Sequence, residues 1–276
     1  MKQLGLGFQN HVDSYKIFPT GGGPTWQFAP YYIGGKPVPA PRRFAGWGFQ
    51  VLPFIEEGAV WRGGNATTDQ TRAAYAIGQP IAAMFCPTRT PEVVNFSNTY
   101  PYPYSTATTV NGPHAKNDYA ASSITTDGNR PEGVGVVICI NDWNFTGAAS
   151  SSDPQPNKRK RGIAVRDVAD GTSKTLVLSE KRMNTFALGQ LPPSDNEGYA
   201  CGWNHDIMRN TNRVPVEDYN DTNISETAGD GFGSAHVMGV MAAFADGSTT
   251  FIPYEISAEQ FRRAGDRNDG LTLNLP

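Results

Sequence analysis

The 30 glycines and 21 prolines spread through these 276 residues constrain the fold more than any other feature. Each proline removes a backbone donor and each glycine weakens a helix. Long uninterrupted helices are therefore disfavoured, and a turn-rich β or α+β protein is expected. Apolar residues at 38% suffice for one sizeable core, and the length fits one large domain or two small ones. A net charge of −3 gives no field that would gather nucleic acid or an anionic membrane. Neutral polar residues dominate the rest, as is common outside the cell.

No run of about 18 apolar residues occurs, so no segment reads as a membrane span. Residues 1–20 are amphipathic and lack the apolar stretch of a secretory signal. The expectation is either a cytoplasmic protein or one whose export segment has been removed. Cys86, Cys139 and Cys201 show no CxxC spacing, which argues against a zinc site built on them. Their odd number leaves at least one thiol without a partner.

Leu4, Phe8, His11, Val12 and Tyr15 recur at helical spacing and predict a helix over 2–17, stopped by Pro19 and Gly21–Gly23. A second apolar stripe (Trp47, Val51, Phe54, Ile55 and Trp61) predicts helix over 47–61. Shorter helices are expected over 69–78 and 257–264. From residue 81 the pattern turns to short strands, at 81–85, 134–140, 163–166, 174–180, 199–203, 237–245 and 248–254. Asp246-Gly247 between the last two predicts a hairpin with a type I′ turn. Residues 95–115 and 147–161 read as polar loops. The basic run Lys158–Arg161 reads as a solvated loop, since no aromatics interleave it. The whole predicts an α+β fold in a single domain, 1–276: a first helix over an antiparallel β-rich body spanning about 81–256.

Several blocks, in order, resemble a large planctomycete family with a pilin-type N-terminal segment and a domain of unknown function. They are Lys2-Gln3-Leu4-Gly5-Leu6 through Phe18-Pro19, Trp47 to Glu56, and Phe85-Cys86-Pro87-Thr88-Arg89. Asp170-Gly171-Thr172-Ser173-Lys174-Thr175 through Glu180 follows. Then come Phe232-Gly233-Ser234-Ala235-His236, with nine residues between the histidine and Asp246-Gly247, and Phe261-Arg262-Arg263 to Asp269-Gly270. The resemblance implies a pilin-like head at the cell surface or in the periplasm, held to the membrane through a helix preceding this chain. It also implies a cysteine upstream of the Lys2 block, which would leave Cys86 here without its partner.

Candidate chemistry falls in three places. Asp195, Asn196, Glu197, Tyr199, Trp203, His205, Asp206 and Arg209 mix aromatics, carboxylates, an amide and a guanidinium, the mixture a sugar site uses. The plain alternative is a polar loop with Trp203 in the core. Asp218, Asn220, Asp221 and Asn223, and the later Asp266, Asn268 and Asp269, offer the oxygens a calcium loop needs, though without the glutamate of an EF-hand. His236 reads as a ligand or acid–base group, or as a hydrogen-bonded structural histidine, and Asp246 as a turn former. If the chain is an enzyme, Glu180, Glu197 and Asp206 are the carboxylates that could flank a glycosidic bond. No nucleophile elbow or phosphate loop is present. Three readings remain open: a non-catalytic surface protein binding a glycan or protein partner, a carbohydrate-active hydrolase, and a structural filament or secretion subunit.

Overall fold

The structure, a computed structural model, describes residues 1–23, 26–27, 29–38, 44–89, 93–100, 108–123, 134–139, 162–224 and 231–274. Its helices are α1 (Lys2–Tyr15), α2 (Trp47–Val51), α3 (Gly58–Trp61), α4 (Asp69–Gly78) and α5 (Ala258–Ala264). Its strands are β1 (Tyr32–Ile33), β2 (Lys36–Pro37), β3 (Val93–Tyr100), β4 (Thr108–Ala115), β5 (Tyr119–Ser123) and β6 (Leu176–Glu180). They continue with β7 (Met208–Asn210), β8 (Val216–Glu217), β9 (Gly233–Ser234), β10 (Gly239–Phe244) and β11 (Thr249–Pro253). The main sheet has five strands in the order β11-β10-β6-β5-β7. All its pairs are antiparallel except β5 with β7. The fold is α+β, as the sequence predicts.

The first helix follows its apolar spacing. Leu4, Phe8 and Val12 are buried on one face, and Lys16 closes the helix in the left-handed region at φ 61, its N–H bonded to Val12 O at 2.7 Å. An adjoining side of the helix, Lys2, Gly5 and Gln9, lies on the turn end of the β10–β11 hairpin. Lys2 Nζ donates to Gly247 O at 2.8 Å, and the Gln9 amide donates to Ala245 O. Two glycines permit the close approach. A Cβ on Gly5 would meet Gly247 O at 3.3 Å, and one on Gly7 would meet Ile55 Cγ2 at 2.7 Å.

The helix predicted over 47–61 is broken. Pro53 sits in a 3₁₀ turn over Leu52–Phe54, and Glu56 takes φ 70 before α3 begins. Buried Gln50 holds α2 to the preceding chain: its amide nitrogen reaches Thr20 O at 3.1 Å and Ala45 O at 2.9 Å, while its oxygen accepts the Thr20 N–H at 3.0 Å.

The β10–β11 hairpin forms in the predicted place with a different turn. Gly247 alone is left-handed, at φ 79, and its N–H bonds Phe244 O at 2.9 Å. This is a type I turn closed by a glycine bulge rather than type I′, which needs positive φ at two residues. Asp246 makes the turn by accepting the Ser248 N–H at 2.8 Å.

Other expected strands are replaced. Ala82–Met84 and Val165–Asp167 are 3₁₀ turns. Residues 134–139 and 199–203 are buried but irregular, because their backbone groups bond loops instead of a ladder. Ile138 O accepts from Gly21, Cys201 O from Gly46, and Trp203 N–H donates to Gly23 O. Conversely, much of 95–115 is the β3–β4 hairpin and not a polar loop. The basic run 158–161 and the loop 147–161 lie outside the described residues.

Replacing Gly7 with leucine should raise helix propensity yet drive a side chain into Ile55. We expect the clash to win, destabilising the fold by about 1–3 kcal/mol in urea unfolding. An unchanged midpoint would mean α1 is not seated as described.

Candidate functional site

Three separated segments bring a thiol, a carboxylate and an imidazole to one point. Cys86 follows the 3₁₀ turn at Ala82–Met84, Glu180 ends β6, and His236 lies in the loop between β9 and β10. Cys86 Sγ is 3.5 Å from His236 Nε2, and the same nitrogen is 3.2 Å from Glu180 Oε1. Among the described residues this is the one group of three metal-ligating side chains whose donor atoms all lie within 4.8 Å of one another. Cys86 and Glu180 are buried, whereas the His236 side chain is 34% exposed. The group therefore opens to solvent on the histidine side.

Each member is fixed by its surroundings. Glu180 Oε2 accepts the Met241 N–H from β10 at 2.7 Å, which leaves Oε1 facing the histidine. Ser234 Oγ accepts the His236 N–H at 3.0 Å and donates to Gly239 O at 2.7 Å, while Tyr254 Oη donates to His236 O at 2.8 Å. Those bonds hold the loop that carries the imidazole. The Cys86 N–H donates to Asp118 Oδ2 at 2.7 Å, and its Sγ is hydrogen-bonded to Thr88 Oγ1 at 3.0 Å. Burial pushes the Cys86 thiol up, with the Thr88 bond acting against it.

Behind the group lies Arg89, three residues after the cysteine and itself buried. Its Nη2 lies 2.7 Å from both oxygens of Asp218 and donates to Lys181 O at 3.0 Å. Its Nη1 makes a 3.5 Å charge contact with Asp118.

This arrangement revises the oxygen-rich calcium loop. Both Asp218 oxygens face a guanidinium, and Oδ1 also accepts the Met183 N–H at 2.9 Å. Asn220 is exposed, and Asp221 Oδ1 accepts the Asn223 N–H at 2.9 Å. The three residues do not present a common set of free oxygens. Asp266 and Asp269 likewise accept local N–H groups.

The 195–209 stretch is brought together, but inward. Tyr199 and Trp203 are 0% and 1% exposed, which leaves no ring face for a sugar to stack on. Asp195 is paired with Lys181 at 2.5 Å and Lys116 at 3.3 Å. Burial alone would raise its carboxyl, yet Lys181 and Lys116 hold it below the ordinary value. Arg209 is buried and donates to Ser194 O and His205 O. Asn196 and His205 are half-buried. Asp206 Oδ1 accepts the N–H groups of Glu197 and Gly198, both at 2.8 Å, and Asn204 Nδ2 bridges Glu197 and Asp206 at 2.6 and 3.1 Å. Glu197 and Asp206 thus form a buried pair, while Glu180 makes its contacts with His236 and Met241. The three carboxylates singled out for glycoside cleavage do not line one cleft.

Sequence reasoning singled out Glu180 and His236 separately and missed Cys86 and Arg89 as their companions. The available signal was that Cys86 and Arg89 share one block, Phe85 to Arg89, with only Pro87 and Thr88 between them.

Burial, reinforced by the adjacent Asp206 carboxyl, pushes Glu197 up to about 11. Between the ordinary glutamic acid value of 4.5 and that point, the folded chain keeps a proton that the unfolded chain releases. Stability therefore falls as pH rises through this window, by up to about 1.4 kcal/mol per pH unit for this group. Glu197→Gln keeps an acceptor for Asn204 and a donor for Asp206 but removes the titration. Its melting temperature should exceed the parent's increasingly towards alkaline pH and converge with it in acid. A pH-independent difference would show that Glu197 is not held protonated.

A family described as a protein of unknown function (DUF1559) matches residues 1–259. No curated protein and no solved structure matches the chain.

Proposed function

The chain belongs to the DUF1559 family, and from that premise we propose that it is the head of a pilin-like surface protein that works by binding rather than by catalysis. The observation that carries this reading is the seating of α1 across the end of the β10–β11 hairpin, through Lys2, Gly5 and Gln9. A helix leading into an antiparallel sheet is how a pilin-type head joins its anchor. Among the described residues no helix is long and apolar enough to cross a membrane, so in this reading anchoring falls to chain outside them.

Binding is favoured over hydrolysis because Glu197 and Asp206 are interior and directly linked through Asn204. A retaining or inverting pair needs an accessible gap of about 5–10 Å between carboxyl groups. The outward features near the open group are apolar: Val237 and Met238, next to His236, are 76% and 61% exposed. We assign the partner-facing side of the head to this rim, with a glycan or an envelope protein as the partner.

Two measurements test the reading. Protease added to intact cells producing the full gene product should remove this domain, whereas complete protection within the cytosol would overturn the surface assignment. Incubation with a polysaccharide panel should give retention without sugar release. Released sugar that disappears in Glu197→Gln would overturn the non-catalytic reading.

A further inference from the structure

We propose that Cys86, Glu180 and His236 form a binding site for one zinc-class divalent ion, with three protein ligands and a fourth position open to solvent.

The argument rests on where the donor atoms point. A cysteine, histidine and acidic residue that act as a nucleophilic relay use both ring nitrogens, one for the thiol and the other for the carboxylate. Here the thiol and the carboxylate both face Nε2. Three donors around a common centre are what an ion needs and what a relay cannot use. Two of the three edges also have the right length, and the third, from sulfur to carboxylate, lies within 4.8 Å. Tetrahedral zinc, with bonds of about 2.3 Å to sulfur and about 2.0–2.1 Å to nitrogen or oxygen, separates its S and N ligands by about 3.6 Å and its N and O ligands by about 3.3 Å. The corresponding distances here are 3.5 and 3.2 Å. An ion at that centre needs little movement of the chain.

The donor set selects the metal class. A thiolate with an imidazole and one carboxylate suits zinc and other late first-row ions, and poorly suits calcium or magnesium, which take all-oxygen shells. Binding would release the Cys86 proton and place two anionic ligands against the ion. The outer shell is already built: Met241 N–H fixes the carboxylate, Asp118 the cysteine backbone, and Ser234 with Tyr254 the histidine loop. Such contacts orient ligands before the ion arrives. With His236 at 34% exposure, the fourth position is reachable by water or by a donor from a partner.

This inference stands apart from the pilin reading, since it concerns side chains and not anchoring. Its test uses the chain with any tag at the C-terminus, because the Met1 amine lies near enough to Glu180 and Cys86 to feel both charges. Metal-stripped protein is titrated with zinc against a chromogenic chelator, and separately with cobalt(II). One zinc per chain is expected, together with the near-ultraviolet charge-transfer band and visible bands of a tetrahedral cobalt–thiolate centre. His236→Asn, at a partly exposed position that leaves the core closed, and Cys86→Ser should each weaken zinc binding by at least on the order of 100-fold. Cys86→Ser should also abolish the charge-transfer band, while melting curves of the metal-free variants stay near the parent's. No stoichiometric uptake, or uptake equal in parent and variants, would overturn the site.

Discussion

The Arg89 guanidinium is the interaction on which the geometry around the open group depends. It reaches Asp118 at the start of β5, the Lys181 carbonyl at the end of β6, and Asp218, whose own N–H bonds Ser234 O. Its backbone N–H closes the turn from Cys86 O. One side chain thereby ties the segment bearing the thiol to that bearing the carboxylate and to the loop bearing the imidazole. An arginine suits this position because its planar fork serves several acceptors at once, whereas a lysine offers a single point charge. A buried cation between two carboxylates is not by itself a source of stability, since desolvation offsets the Coulomb gain. Its effect is to fix relative position: removing the guanidinium would leave Asp118 and Asp218 buried without their counter-charge.

A second polar network explains why the richest polar stretch of the chain is interior. The residues from Asp195 to Ile207, ahead of β7, have no ladder to satisfy them, so side chains do that work. Asp206 takes two backbone N–H groups, Asp195 takes two ammonium groups, and the Trp47 indole caps Ile207 O at 2.8 Å. A buried irregular segment must satisfy its polar groups internally. The composition of carboxylates, amides and a guanidinium that resembles a ligand site is, here, the composition such a segment requires of itself. Glu197, held protonated, shows the limit of that arrangement: two carboxyls in one buried space share charge poorly.

What was legible in the sequence follows from how local each signal is. Helix α1 was readable because Leu4, Phe8 and Val12 repeat within a few residues, and the β10–β11 hairpin because Asp246-Gly247 marks its own turn. The β3–β4 hairpin was hidden because its strands carry Asn, Ser, Thr and Gly, and only Val94 and Phe96 betray the alternation, with Phe96 edge-on to His114 at 5.3 Å. Residues 199–203 were misread in the opposite way. Their apolar content signals burial, and periodicity cannot separate a buried strand from a buried irregular segment. The Cys86–Glu180–His236 group depends on pairings across as many as 150 residues, and no local pattern encodes those.

The same strand that fixes Glu180 also receives the first helix. Met241 in β10 donates to the carboxylate, and three residues later β10 runs into the turn where Lys2 and Gln9 attach. Helix and open group are thus carried by one short strand, paired on both sides by β6 and β11. Energetic coupling between sites requires an element with two arrangements of similar energy. A strand laddered on both edges, with buried Val240, Ala242 and Phe244, offers one. The arrangement therefore fits a preformed site mounted rigidly on its attachment better than a switch operated through it. In the proposed surface head, such a mount would hold the group at His236 at a fixed distance from the first helix.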